Sequence, residues 1–85
     1  MATKTEQLRA ALVARGFVPI DHVSQRECLR GATPGGAEIF VWPDKTGGAR
    51  YAMTPRKTTA ITLSNKTIGL LIEGKPSKLI AGGAA

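Results

Sequence analysis

The side chains best suited to binding a charged ligand lie in the second half of the chain, which holds all of the net positive charge. From Lys45 onward the sequence has seven basic residues and one acid, Glu73, whereas the residues up to Asp44 hold five of each sign. The formal net charge of +6 therefore arises entirely after position 44. A region of one sign attracts polyanions and speeds their encounter with the protein.

Short hydroxyl side chains alternate with these basic residues. Lysine and arginine pair with phosphate oxygens, and threonine hydroxyls donate to the same oxygens at short range. Aromatic rings on such a surface stack on unpaired bases. A domain this small needs most of its four aromatic residues in the core, so we expect only a tyrosine at the rim. The predicted nucleic-acid contacts are Arg50, Arg56, Lys57, Lys66, Lys75, Lys78, Thr58, Thr62, Thr67 and Tyr51.

The leading interpretation is a small non-enzymatic nucleic-acid-binding protein that grips phosphates with little sequence specificity. The sequence does not distinguish DNA from RNA, or single strands from double strands, as the ligand. The same charge pattern is expected for a basic face that contacts only solvent, or for one that binds an acidic protein partner. The alternative function is a protein-binding modulator or inhibitor of the phage or mobile-element type. Its contact would be an apolar hairpin face, carried either by Phe40 and Trp42 or by Ile39 and Val41.

Residues for catalysis or metal binding are scarce. His22, the one histidine, follows Asp21 in a predicted loop, and neighbours in sequence rarely orient one another as in a triad. Cys28 is the one cysteine and is expected to be a buried packing residue. One Cys and one His do not make a zinc site, and the glycines lack the phosphate-loop pattern. We predict no catalytic residue, no metal and no cofactor.

Composition places the chain among small intracellular proteins. A lone cysteine favours a reducing compartment. The polar start, Met-Ala-Thr-Lys-Thr-Glu, is unlike a signal peptide, and no segment approaches the roughly 18 apolar residues of a membrane span. We expect a cytoplasmic protein with no membrane partner. Since 85 residues make a thin core, we also expect a homo-oligomer.

A helix at the N-terminus is the clearest predicted element. Thr3 and Glu6 have the spacing of a capping box, and Gly16 is the type of residue that ends helices. The pattern predicts a helix over 4–15, with Phe17 folded back onto it.

Strands follow the helix. Residues 20–24 are interpreted as a connector. The predicted strands are 25–30, 37–42 and 49–54, with turns at 31–36 and 43–48. Pairing Trp42 with Ala49 would place Phe40 opposite Tyr51.

A second hairpin is predicted at the C-terminal end. Its strands are 58–63 and 67–73, joined by a turn at Asn65–Lys66. The fold class is therefore α+β, with one N-terminal helix packed on an antiparallel sheet of four to five strands, built from two successive hairpins. We expect a single domain over 1–80 and a flexible tail over 81–85. The predicted core is Leu8, Leu12, Phe17, Ile39, Val41, Ile61, Leu63, Ile68, Leu70 and Ile72.

Overall fold

The described part of the chain forms two helices and a five-stranded antiparallel sheet, which confirms the α+β class. The computed structural model describes residues 3–20, 27–55 and 59–82. In chain order the elements are α1 (Lys4–Ala14), β1 (Val18–Ile20), β2 (Cys28–Ala32), β3 (Glu38–Pro43), β4 (Ala49–Ala52), β5 (Ile61–Thr62) and α2 (Asn65–Ile72). The strands pair in the order β1-β2-β3-β4-β5, so each strand lies beside its neighbour in sequence.

Helix α1 forms as its end signals predict. The Thr3 side chain accepts a hydrogen bond from the Glu6 N–H, which satisfies one of the free donors of the first turn. Gly16 has φ +91°, and the Phe17 N–H donates to the Leu12 carbonyl at 3.1 Å. This bond is part of a Schellman motif, which ends the helix and turns Phe17 into the core.

The early strands differ from the prediction. The segment after Phe17 forms β1, which contains Pro19, pairs with β2 and includes Ile20, the first residue of the predicted connector. Proline is tolerated there because β1 is an edge strand, where one side of the backbone has no partner strand. Strand β2 is Cys28–Ala32 rather than 25–30. His22 and the other residues of 21–26 lie outside the described residues.

The hairpin of β3 and β4 exists, but the predicted register is wrong by one residue. Trp42 pairs with Arg50, and Val41 pairs with Tyr51. The cause is the turn: Asp44 Oδ1 accepts from the N–H groups of two later loop residues, and the Asp44 N–H donates to the Gly48 carbonyl at 3.0 Å. This closed loop leaves the preceding Pro43 in the strand and shifts every pair.

The second predicted hairpin is wrong, because its return strand is helix α2. Ser64 caps the helix by accepting from the Thr67 N–H at 3.2 Å, and Gly74 follows its end with φ +73°. The buried residues of this helix are Ile68 and Leu71, three positions apart as one helix face requires.

This change of element also alters the predicted core. Ile61 and Ile72 are 61% and 38% exposed, and Leu70 is only partly buried. The other seven predicted core residues are buried. The prediction missed Leu29 and Ile80, which are fully buried in the same cluster.

The two faces of the sheet have separate apolar clusters. The inner face packs against the helices and contributes Leu29, Ile39, Val41 and Ala49 to the main core. The outer face carries Cys28, Phe40, Trp42 and Ala52, which form a second buried cluster.

Both helices begin at the end of the sheet that carries the β3–β4 loop. The Thr5 hydroxyl of α1 donates to the Asp44 carbonyl at 2.6 Å. The Leu63 N–H donates to the Ala49 carbonyl at 2.8 Å, directly before α2 begins. At the opposite end, the Arg15 guanidinium reaches carbonyls at the end of α2. The two helices therefore run in the same direction.

The C-terminal segment returns to the sheet. The Ala81 N–H donates to the Ala32 carbonyl at 2.9 Å, so the segment predicted as a flexible tail begins with a residue bonded to the sheet. Residues 83–85 of that prediction lie outside the described residues.

Candidate nucleic-acid interface

Four of the ten predicted contact residues lie around the junction of β5 and α2. Arg50 and Thr62 are a cross-strand pair of β4 and β5, so their Cα atoms are about 5 Å apart. Both are exposed on the outer face, and Trp42 lies on the other side of Arg50. Lys66 and Thr67 follow in the first turn of α2.

Lys66 and Thr67 differ in what their side chains do. The Thr67 hydroxyl is 2.9 Å from the Ser64 hydroxyl and belongs to the cap of α2. Lys66 is exposed, and the first turn of α2 has no acidic residue. Because the N-terminus of a helix is already the positive end of its dipole, a lysine there raises the local positive potential and does not favour the helix.

The fold brings two further lysines to this end. Lys45 is exposed in the β3–β4 loop. Lys4 begins α1, and its Cβ lies 2.6 Å from where a Cβ on Gly47 of that loop would stand. We call Lys4, Lys45, Arg50, Thr62 and Lys66 the cationic end of the molecule. Sequence reasoning omitted Lys4 because it lies in the neutral half, and nothing in the local pattern indicates that α1 begins beside this loop.

Two carboxylates also lie at this end, and both make local hydrogen bonds. Asp44 Oδ1 accepts from the Thr46 N–H and hydroxyl at 2.8 and 2.6 Å. Glu6 accepts from the Thr3 hydroxyl at 3.1 Å. Neither forms an ion pair with a lysine of the cationic end within the described ranges. The four cations therefore exceed the acids and remain exposed.

An open groove of about 800 Å³ is lined by residues of α1 and of the β3–β4 loop. Its charged lining residues are Glu6, Arg9, Glu27, Asp44 and Lys45, which include both signs. The groove itself thus has no excess of positive charge.

Lys75 and Lys78 are not brought to the cationic end. They follow the last turn of α2, and eight helical residues separate the two ends by about 12 Å. Lys75 Nζ lies 3.3 Å from Glu73 Oε2. Arg56, Lys57 and Thr58 lie outside the described residues.

Tyr51 lies on the sheet face opposite Arg50. It pairs with Val41 on one side and Ile61 on the other, and it is half-buried against the main core. The one-residue shift of register is the reason, since it moves Tyr51 to the inner face.

Two acids of the first half, Glu27 and Glu38, pair with arginines of the first half. Arg9 Nε is 2.9 Å from Glu27 Oε2, and Arg30 Nε is 3.7 Å from Glu38 Oε2. In the part of the chain that the structure describes, Lys75 is the one cation after position 44 with an ion-pair partner. Among the described residues, no acid of the first half therefore forms an ion pair with a cation of the second half.

Cys28 is a packing residue, as predicted. It is fully buried in the cluster of the outer face, and burial raises the pKa of its thiol to about 11. At neutral pH the group is a protonated thiol, which is a poor nucleophile. Over the described ranges, no group of three or more His, Cys, Asp or Glu residues is placed to hold a metal ion.

Neither helix in the described part of the chain combines the length and hydrophobicity that a membrane span requires.

Comparison with known proteins identifies no relative: no protein-family model, no curated protein and no solved structure matches the chain.

Proposed function

We propose that this protein is a small non-enzymatic, cytoplasmic nucleic-acid-binding protein that grips phosphates with little sequence specificity. The observation that carries the proposal is that four exposed cations, Lys4, Lys45, Arg50 and Lys66, lie at one end of the fold and form no ion pair with any described residue. Exposed cations that no carboxylate neutralises remain available to phosphate groups.

Two details of the cationic end favour phosphate as the ligand. Arg50 lies beside the Thr62 hydroxyl, which pairs a planar charged donor with a short neutral donor. Lys66 adds its charge to the positive end of the α2 dipole, where an anion is favoured. Both contacts are made to the phosphate backbone and not to the bases, so little sequence preference is expected.

Arg56, Lys57 and Thr58 lie outside the described residues, and the four-cation proposal does not depend on them. Lys75 and Lys78 are removed from the contact set because the fold places them beyond the other end of α2.

The test is the salt dependence of binding to a labelled nucleic acid, measured by fluorescence anisotropy. Four phosphate contacts predict a log–log slope of about −3.6 on duplex DNA. Replacing Lys66 with glutamine removes one contact, so the slope should fall in size by about 0.9 and the affinity by about eightfold at about 0.1 M salt.

Lys78→Gln is the matched control, since it removes the same charge from an exposed lysine outside the cationic end. It should leave the slope unchanged. Equal losses for both variants would show that net charge alone governs binding, and binding that does not depend on salt would contradict the proposal.

A protein-binding modulator is the second candidate, and one observation favours it: Ile61 on the edge strand β5 is 61% exposed. The contact residues first expected for this role, Phe40, Trp42, Ile39 and Val41, are all buried within the chain. Self-association through such an exposed residue is a further proposal, and a mass measurement in solution tests it. Capture of one protein partner that survives nuclease treatment would favour the second candidate.

A further inference from the structure

All four aromatic residues of the chain lie within the described structure, and their positions bear on the kind of nucleic acid that fits. Phe17, Phe40 and Trp42 are at most 5% exposed. Tyr51 is half-buried and packs against the main core on the inner face. No ring is therefore exposed at the cationic end, since Trp42, the cross-strand neighbour of Arg50, is only 2% exposed.

Proteins that bind single strands without sequence preference depend on such rings. Each exposed ring stacks on an unpaired base, and this stacking supplies much of their affinity. The Phe40 and Trp42 rings stack on each other, with centroids 6.5 Å apart, inside the cluster of the outer face. They are already used in packing, so an unpaired base would find a charged surface but no ring to stack on.

We infer that the ligand of the cationic end is double-stranded nucleic acid, held through its phosphate backbone; this rests on the proposed function. Its cations are attached to folded elements, namely α1, β4, α2 and the closed β3–β4 loop. A duplex presents phosphates at fixed spacing on two strands, and its bases are stacked inside. A protein that contacts only phosphates can therefore bind a duplex without stacking on any base.

The higher charge density of a duplex gives the expected size of the preference. For four contacts, counterion release predicts a log–log slope of about −3.6 on a duplex and about −2.8 on a single strand. If the contacts are otherwise equal, this difference amounts to about sixfold tighter binding to the duplex at about 0.1 M salt.

The experiment compares duplexes about two helical turns long, one of DNA and one of RNA, with their separated strands. Anisotropy titrations at several salt concentrations give affinities and slopes. The intrinsic fluorescence of Trp42, the single tryptophan, reports stacking in the same samples, because a base stacked on its ring would quench it. Tyr51→Leu removes the one ring that is not fully buried while retaining an apolar side chain for the core.

The expected result is tighter binding to a duplex than to its strands, by about sixfold, with unchanged Trp42 emission and unchanged affinity in Tyr51→Leu. A preference confined to the DNA or to the RNA duplex supports the inference and identifies the ligand. Single strands bound equally or more tightly, or a loss of single-strand binding in Tyr51→Leu, would overturn the inference while leaving the proposed function intact. Binding to none of these polymers at low salt would overturn both.

Discussion

Replacing Arg15 with glutamine is expected to destabilise the fold more than any loss of a surface ion pair. Its guanidinium donates to three backbone carbonyls, those of Leu70 at 3.3 Å, Lys75 at 2.5 Å and Gly82 at 3.1 Å. These bonds join the end of α1 to the end of α2 and to the C-terminal segment. Partial burial lowers the pKa of Arg15, but the guanidinium stays protonated because arginine titrates far above neutral pH.

The magnitude follows from the bonds and their exposure. A hydrogen bond from a charged donor contributes about 1.5–3 kcal/mol when buried. Two of the three Arg15 bonds are exposed and the third is only part-buried, so about 0.5–1 kcal/mol for each of the three is a better value. The sum is a loss of about 2 kcal/mol in the free energy of unfolding. For a domain of this size, that corresponds to a fall in Tm of about 10 °C.

Thermal and urea unfolding, followed by Trp42 fluorescence, measure this effect. Arg30→Gln is the matched control because it also removes an arginine, whose partner Glu38 is 3.7 Å away and mostly exposed. The control should cost less than about 0.5 kcal/mol. Equal unfolding midpoints for the two variants would refute the reasoning that Arg15 connects the two helix ends.

Three further predictions concern the packing and capping of the fold. Ser64→Ala removes the cap of α2 and should lower the free energy of unfolding by about 1 kcal/mol in a urea titration. Gly31→Ala places a Cβ 2.4 Å from the Phe17 ring and should lower the free energy of unfolding by about 1–3 kcal/mol. The Cβ of Gly69→Ala meets no atom within 4 Å, so this variant should stabilise α2 by about 0.5–1 kcal/mol. Equal effects of the two substitutions would contradict the described packing. Burial raises the pKa of the Cys28 thiol from 9.0 to about 11, so the folded state holds this proton more tightly than the unfolded state. The free energy of unfolding should therefore fall as pH rises from 9 to 11. Cys28→Ala should make this decline shallower, and an unchanged decline would contradict the prediction.

The parts of the fold that local signals specify were predictable. Helix α1 has a capping residue, Thr3, and a terminating glycine, Gly16, and both act within a few residues of sequence. The β3–β4 hairpin was found from its β-forming residues, but its register depends on how the Asp44 side chain closes the loop. The composition of the strands does not distinguish two turn geometries that differ by one residue. The turn that forms sets the register, and the register places Tyr51 on the inner face.

Helix α2 was missed because its sequence satisfies two patterns. Alternating apolar residues from Ile68 to Ile72 suit a strand, while Ile68 and Leu71 suit one face of a helix. The decisive local signals were Ser64, which caps the helix four residues before the first buried position, Ile68, and Gly74, which follows the end of the helix.

The cationic end could be predicted only in part. Arg50, Thr62 and Lys66 were named from charge and hydroxyl content, whereas Lys4 joins them through contact between α1 and the β3–β4 loop. Contacts between residues more than forty positions apart follow from packing of the whole chain, and a local pattern does not encode them.

Amide chemical-shift mapping during titration with a nucleic-acid duplex tests the central claim most directly. Binding through the cationic end predicts the largest shifts at Lys4, Lys45, Arg50, Thr62 and Lys66, and small shifts after the end of α2 at Lys78. The largest shifts at Lys78, or shifts of equal size around the whole molecule, would contradict the account.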